Sequence, residues 1–402
     1  MASPSQYRLL HQTSQSSLSL PPGSYIYSLC QSGIDALAAI SSDNSLRRFD
    51  RETLNVLPDG VFADIHPGQD GGGVTCVCEV DPASVEGKNI VATSGRDGTV
   101  KLWDVRGKRR DAVLTVTSLF FIFNAHKSAP ITALTCSLEP CTIVAGTELV
   151  SSQSSVIFWS PGQPRLQYVE SHNDDITELQ FHPTRRNVLL SGSTDGLVNI
   201  YDTTISDEDE ALLQVFNHGS IHRAGFFGEH AIYALSHDEV FSVHPLNNPD
   251  ENAVEPAPIQ FGDLRPVLQN DYVAQVLDGR GGMFVVSGKT SEQRLDFTPL
   301  VCSPKFDFDL ANTWRLPGAH GEELVRSVFL DNNSKSIFTC GEDGHVRSWK
   351  LDEGDQQQGE DFPSKPFTKR TAPENVLRTK EHPSKDGGHR EKRHKHRGFK
   401  PY

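Results

Sequence analysis

Few residues of this 402-residue chain stand in patterns that do chemistry. Gly288-Lys289-Thr290 echoes the end of a phosphate-binding loop, where backbone N–H groups cradle phosphate and a lysine reaches it. The glycine that such a loop needs five positions earlier is Met283, and no strand-to-helix context surrounds it. Asp207-Glu-Asp-Glu210 brings carboxylates together, but in a linker after Tyr201-Asp202. It reads as a solvated loop, with attraction of a basic ligand as its other use. There is no Gly-x-Ser-x-Gly elbow and no His-Glu-x-x-His, and no nucleophile stands with a base and an orienting group. Cys76 and Cys78 share one face of an expected strand, without a second Cys/His pair at finger spacing to complete a zinc site. His382, His389, His394 and His396 are weak metal ligands at most, and solubility or charge is their simpler role. The expectation is a protein with no enzymatic activity, no cofactor, no metal and no small-molecule substrate.

What recurs instead is a pairing of turn and aromatic. Four times an aspartate stands six positions before an aromatic residue: Asp43 and Phe49, Asp97 and Trp103, Asp195 and Tyr201, Asp343 and Trp349. Three of these turns read Asp-Gly, which supplies the positive φ of a tight hairpin. Around them lie short apolar, β-branched runs bounded by Gly, Asp and Pro, which read as strands. The clearest unit holds His172, Ile176–Phe181, the His182-Pro183 turn, Val188–Gly192, Asp195-Gly196 and Leu197–Tyr201. That is three strands, with a fourth in the link to the next unit. A recurring unit of about 40 to 50 residues is the mark of a propeller.

These residues resemble the WD-repeat family across most of 24–352. His172 to Tyr201 and His320 to Trp349 are both 29 positions apart. In that family a histidine, the turn aspartate and a Trp or Tyr lock each blade by side-chain hydrogen bonds. The resemblance implies those roles for His172, Asp195 and Tyr201, for His320, Asp343 and Trp349, and for His66, Asp97 and Trp103. Ile221–His244 and Tyr272–Phe297 read as degenerate units in the long interval between Tyr201 and Trp349. The expected fold is therefore all-β, a seven-bladed β-propeller over 24–352, in which seven four-stranded sheets close a ring without open edges. Residues 1–23 precede it, with Tyr7–His11 as a ring-closing strand beside the last blade. The apolar run Val113–Phe123 is too short to span a membrane. It reads as a buried outer strand with a long hairpin, or as a retained intron over Val116–Ile122.

Charge is divided unevenly along the chain. Residues 365–402 hold 12 Lys+Arg against 4 acids, and the remainder 26 against 48. From 353 onward the composition, rich in Gln, Pro, Lys, Gly and His, predicts a disordered basic tail. Arg390, Lys392, Arg393, Lys395 and Arg397 form a nuclear-localisation cluster or a nucleic-acid patch. No N-terminal apolar stretch resembles a signal peptide, and seven scattered cysteines argue against a disulfide framework. A nuclear or nucleocytoplasmic scaffold follows, whose acidic propeller holds a basic partner such as a histone or ribosomal protein. A narrower resemblance gives an alternative. Trp103-Asp104-Val105-Arg106 is similar to the Trp-Asp-x-Arg box of substrate receptors for cullin-4 RING ubiquitin ligases. It implies that Trp103, Asp104 and Arg106 meet the ligase adaptor. The other reading of Arg106 is a solvent-facing linker charge.

Overall fold

The computed structural model describes residues 7–68, 73–80, 90–106, 111–118, 129–138, 141–160, 163–247, 256–279, 282–302, 305–331 and 334–351. They belong to one compact unit, Met1–Ser364, while a second unit, Lys365–Tyr402, lies outside them, as does the whole tail from 352. Strand β1 (Arg8–Ser16) comes first. The first group of four is β2–β5 (Ile26–Gln31, Ala36–Ser41, Ser45–Asp50, Val56–Phe62), and the second is β6–β9 (Val74–Val80, Ile90–Gly95, Thr99–Asp104, Leu114–Thr117). The third is β10–β13 (Ile131–Leu138, Cys141–Thr147, Val156–Ser160, Gln163–Tyr168). The fourth is β14–β17 (Ile176–Phe181, Val188–Ser193, Leu197–Asp202, Leu212–Asn217), with a single-turn helix α1 (Glu208–Ala211) before its last strand. The fifth is β18–β21 (Ile221–Phe227, Ala231–Ser236, Val240–Pro245, Ile259–Asp263), followed by α2 (Leu264–Leu268). The sixth holds β22 (Tyr272–Gly279), β23 (Gly282–Lys289), β24 (Arg294–Cys302), the short β25 (Phe306–Phe308) and β26 (Trp314–Pro317). Last come β27 (Val325–Asp331), β28 (Ser336–Gly341) and β29 (Val346–Leu351).

Each of the first five groups is an antiparallel four-stranded sheet in chain order. The sixth and seventh are fused into one nine-stranded sheet by β1. β1 pairs antiparallel with β29, Leu10 opposite Leu351, and parallel with β26 through Arg8 and Leu9. The seventh group thus takes its outer strand from the opposite end of the chain. The leading strands β2, β6, β10, β14, β18, β22 and β27 pack each against the next, and β27 packs against β2. The arrangement is a closed ring.

The core follows the same rule. The second strand of most groups is buried at every position, for example Ala36–Ser41, Val188–Ser193 and Ser336–Gly341, because it lies between neighbours on both edges and both faces. The apolar side chains then separate into seven clusters, each shared by two adjacent groups. One joins Ile40, Leu46 and Phe62 to Val91 and Trp103; another closes the ring by joining Phe338, Cys340 and Val346 to Leu37 and Phe49. No single sheet buries its faces alone, so neighbours must stack, as in other repeat proteins. Of the apolar run Val113–Phe123, Leu114–Thr117 is β9, with Val116 buried, and residues 119–123 lie outside the described ones.

The turn between the second and third strands sets the geometry of the locks described below. Gly98, Gly196 and Gly344 have φ of 69°, 94° and 71°, the left-handed region that a tight turn needs. Asn44 (59°) and Glu239 (62°) hold the same conformation after Asp43 and Asp238. The first and fifth groups therefore keep the turn with a residue that is less at ease in it.

Candidate functional site

Three groups carry a complete side-chain lock. In the second, His66 Nδ1 donates to Asp97 Oδ1 at 2.9 Å, and its Nε2 accepts from the Thr93 hydroxyl at 2.8 Å. That hydroxyl in turn accepts from the indole N–H of Trp103 at 2.8 Å. The carboxylate fixes the imidazole tautomer, so each buried donor meets one acceptor. In the seventh group His320 lies 2.7 Å from both Asp343 and Thr339, and Trp349 donates to Thr339 at 3.0 Å. In the fourth, His172 meets Asp195 at 3.1 Å and Ser191 at 2.7 Å, and Asn199 Nδ2 donates to the Tyr201 hydroxyl at 3.0 Å. The nine residues implied by the resemblance are thus brought together in three sets. Thr93, Ser191, Thr339 and Asn199 were not singled out from the sequence. A Ser or Thr ten positions before each lock aromatic is the signal that finds the first three.

Burial opposes the carboxylates of Asp97, Asp195 and Asp343, but hydrogen bonds from the histidines and nearby backbone outweigh it and hold all three below the ordinary range. Burial pushes His320 down despite Asp343, so its ring is neutral in the lock.

The first, fifth and sixth groups substitute different chemistry. Asp43 pairs with Arg47 at 2.8 Å, and that guanidinium also donates to the carbonyls of Leu18 and Ser19. In the fifth group the Ser242 hydroxyl lies between His218 (2.9 Å) and His244 (2.8 Å), and burial lowers His244 to about 4. In the sixth, buried Asp296 is clasped by Arg294 and Arg315, and Arg315 lies 3.6 Å from the ring centre of Tyr7.

A further regularity defines one mouth of the ring. All seven leading strands carry a register shift near the start of their pairing with the second strand, after the first pair at Tyr27, Thr75, Thr132, Thr177, His222 and Arg326 and after the second pair at Ala274. Bulges re-aim side chains and bend the strand. Three successive bulged threonines donate to the carbonyl of the next leading strand: Thr75 to Ile131 at 2.6 Å, Thr132 to Ile176 at 2.7 Å and Thr177 to Ile221 at 2.8 Å. Beside them charges are matched, Arg96 with Glu148 at 3.0 Å, Arg223 with Glu178 at 3.3 Å and Arg326 with Glu342. His222, stacked on His237, is lowered to about 4 by burial and then by Arg223, His237 and Arg326. Acidic side chains beside the bulges are thus paired with arginine at three places around this mouth.

Two of the segments singled out from the sequence lie where β8 ends and where β17 begins. Trp103 is buried in its lock, whereas the Arg106 side chain is 41 % exposed and lies 3.4 Å from Asp104. The run Asp207–Glu210 differs from a plain solvated loop. The Glu208 carboxylate accepts the backbone N–H groups of Val169 (2.6 Å), Glu170 (3.0 Å) and Ser171 (2.8 Å), and Asp207 caps α1 by accepting from Glu210 N–H. The cluster Arg390, Lys392, Arg393, Lys395 and Arg397 lies outside the described residues. Among those described, no three His, Cys, Asp or Glu side chains converge on a metal position, and no helix is long and apolar enough to cross a membrane.

Comparison with known proteins agrees with this geometry. The WD domain, G-beta repeat, matches at residues 61–104, 163–202 and 312–350, which contain the three aromatic lock residues. An uncharacterized WD repeat-containing protein of Saccharomyces cerevisiae is 37 % identical over 224 residues, 55 % of this chain and 56 % of that protein, so the match spans little more than half of the relative. An uncharacterized WD repeat-containing protein of Schizosaccharomyces pombe is 32 % identical over 276 residues, covering 65 % of this chain and 80 % of that one. The WD repeat-containing protein 89 homolog of Dictyostelium discoideum is 25 % identical over 282 residues, 66 % of this chain and 69 % of that protein. Among solved structures, Raptor of Chaetomium thermophilum superposes with a TM-score of 0.63 at 11 % identity, over 87 % of this chain and 29 % of that one, a likeness of fold alone. The repeated four-stranded sheets, the His–Asp–hydroxyl–aromatic locks and the S. pombe relative together place this chain in the WD-repeat family of β-propeller proteins.

Proposed function

We propose that this chain is a non-enzymatic interaction scaffold, nuclear or nucleocytoplasmic, that holds a basic protein partner such as a histone or ribosomal protein. The observation that carries the reading is charge. Outside residues 365–402 the chain has 48 acidic residues against 26 basic ones. A rigid ring with that balance raises the encounter rate of cationic proteins, and loops on rigid scaffolds are where binding resides. The test is a pull-down from cell extract with the full chain at low and at high salt. Basic proteins retained at low salt and released at high salt support the reading; retention of proteins that are not basic, or retention indifferent to salt, rejects it.

A second reading is a substrate receptor of a cullin-4 RING ubiquitin ligase. It is favoured by the exposure of Arg106 three positions after the buried Trp103. Arg106→Ala then abolishes co-purification of the adaptor from a chain that stays folded, and unchanged recovery rejects it.

A further inference from the structure

Outer strands of a propeller end their sheets and leave a row of backbone N–H and C=O groups without a ladder. Proteins guard such edges with charge, Pro, Gly, short strands or a covering element. Here β5 contains Pro58, Asp59 and Gly60, β13 contains Pro164 and Arg165, and β21 contains Gly262 and Asp263. β9 has only four residues, and β26 is partly covered by β1. β17 differs from all of them. Its six residues, Leu-Leu-Gln-Val-Phe-Asn, include no charge, no Pro and no Gly, and it ends its sheet beyond β16.

The strand alternates in burial. Leu212, Gln214 and Phe216 face inward, with Gln214 Nε2 donating to the Pro245 carbonyl at 3.0 Å and Phe216 stacked on His244 at 3.8 Å. Leu213 and Val215 face outward and are 47 % and 45 % exposed. A bulge at Leu213 sets the start of the regular edge, which runs on through Asn217. Just before it, Asp209 and Glu210 are exposed, and neither takes part in an ion pair among the described residues. Glu208 is consumed by backbone amides and so fixes the place of its acidic neighbours.

We propose that β17 is a docking edge for an extended, basic segment of a partner protein, added as a further strand. Its backbone pairs along Gln214–Asn217, its apolar residues, at every second position, cover Leu213 and Val215, and its Lys or Arg side chains meet Asp209 and Glu210. Strand addition of this kind draws affinity from the main chain and selectivity from alternate side chains. A second copy of this chain is a poorer occupant, because β17 itself carries no Lys or Arg to meet Asp209 and Glu210. This deepens the basic-partner reading and rests on it.

The probe is a fluorescein-labelled ten-residue peptide of alternating Lys and Val, measured by anisotropy against the full chain. The double variant Leu213→Lys, Val215→Lys guards the edge without touching the core, and it lowers affinity at least tenfold while the circular dichroism and Tm stay put. Asp209→Asn with Glu210→Gln weakens binding and flattens its salt dependence. A peptide N-methylated at alternate amides, which cannot pair, binds no better than an unrelated one. Equal binding by the guarded variant, or by an alternating Glu and Val peptide, overturns the proposal. Self-association that the guarded variant abolishes, without peptide binding, assigns the edge to a second copy and also overturns it. Basic proteins still captured from extract by the guarded variant sink this edge but leave the scaffold reading intact; no basic capture by either protein removes both.

Discussion

Thr93 and Trp103 stand ten residues apart in the chain and 2.8 Å apart across β7 and β8, the indole N–H donating to the hydroxyl. The same hydroxyl donates to His66, whose ring is fully buried. Thr93→Val keeps the shape and removes both partners at once. It leaves an imidazole nitrogen and an indole N–H unsatisfied in the core, at about 1–3 kcal/mol each when stranded. A loss of about 2–4 kcal/mol is therefore expected in urea unfolding, with the m-value unchanged. Tyr201→Phe is milder, at about 1 kcal/mol, since the Ser191 hydroxyl is 3.4 Å from the phenol and Asn199 retains other partners. Equal effects of the two changes refute this account of the locks.

Glu239 holds φ of 62° at the position where three other groups use glycine, and the residue is 9 % exposed. One carboxyl oxygen has no hydrogen-bond partner, and burial pushes the group up to about 7. An unfolded glutamate titrates near 4.3. Between those values the unfolded chain is ionised while the folded one holds its proton, so this group lowers stability as pH rises from about 4.3 to about 7, and the penalty is constant above that. Glu239→Gln removes the effect. Its Tm equals that of the parent below about pH 4 and exceeds it increasingly up to about pH 7, by the equivalent of about 1–2 kcal/mol once relaxation of the site is allowed for. Scanning calorimetry across that range decides it. The loss on the acid side is common to both proteins: His222 and His244, both lowered to about 4, and His320, lowered by burial, contribute stability above about 6.5 that is lost as pH falls.

The turn aspartates and lock aromatics were legible in the sequence because hairpin geometry demands Asp-Gly at a fixed offset, and a buried Trp is distinctive. The lock hydroxyls were not, because Thr93, Ser191 and Thr339 are common residue types inside strands that are buried at every position. The fifth and sixth groups were recognised as strands but not as locks. Their buried polar groups are of other kinds, His218 with Ser242 and His244, and Arg294 with Asp296 and Arg315. The ring of bulges leaves no residue pattern at all, since Tyr, Thr, His, Ala and Arg occupy equivalent positions. It is imposed by curvature of the backbone, which any L-residue tolerates there.

The ring is closed by β1, and Leu10 is the residue of that strand buried in the core between the sixth and seventh groups. Leu10→Ala removes apolar area and leaves a cavity, for an expected loss of about 2–4 kcal/mol. Leu9, on the exposed side of the same strand, provides the control, and Leu9→Ala changes stability by less than about 0.5 kcal/mol. Removal of residues 1–16 exposes the outer edge of β29 and the Trp314 end of β26 together, so the truncated chain unfolds at lower temperature and self-associates through the freed edges. Light scattering beside the thermal scan separates the two effects.

Glu208 and Glu210 look alike in the sequence but act differently in the fold. The carboxylate of Glu208 accepts from three successive backbone N–H groups, Val169, Glu170 and Ser171, and so ties the link after β13 to the turn before β17. Charge-assisted bonds of this kind are about twice as strong as neutral ones, and removing the acceptor strands the partly buried donors. Glu208→Ala is expected to cost about 2–3 kcal/mol and to raise amide hydrogen exchange at 169–171. Glu208→Gln retains one acceptor oxygen and loses about half as much. Glu210→Ala, at an exposed position, leaves both stability and exchange unchanged within about 0.5 kcal/mol. If Glu210→Ala instead matches Glu208→Ala, the acidic run acts through its total charge and not through one anchored carboxylate, and the fixed placement of Asp209 and Glu210 beside β17 fails with it.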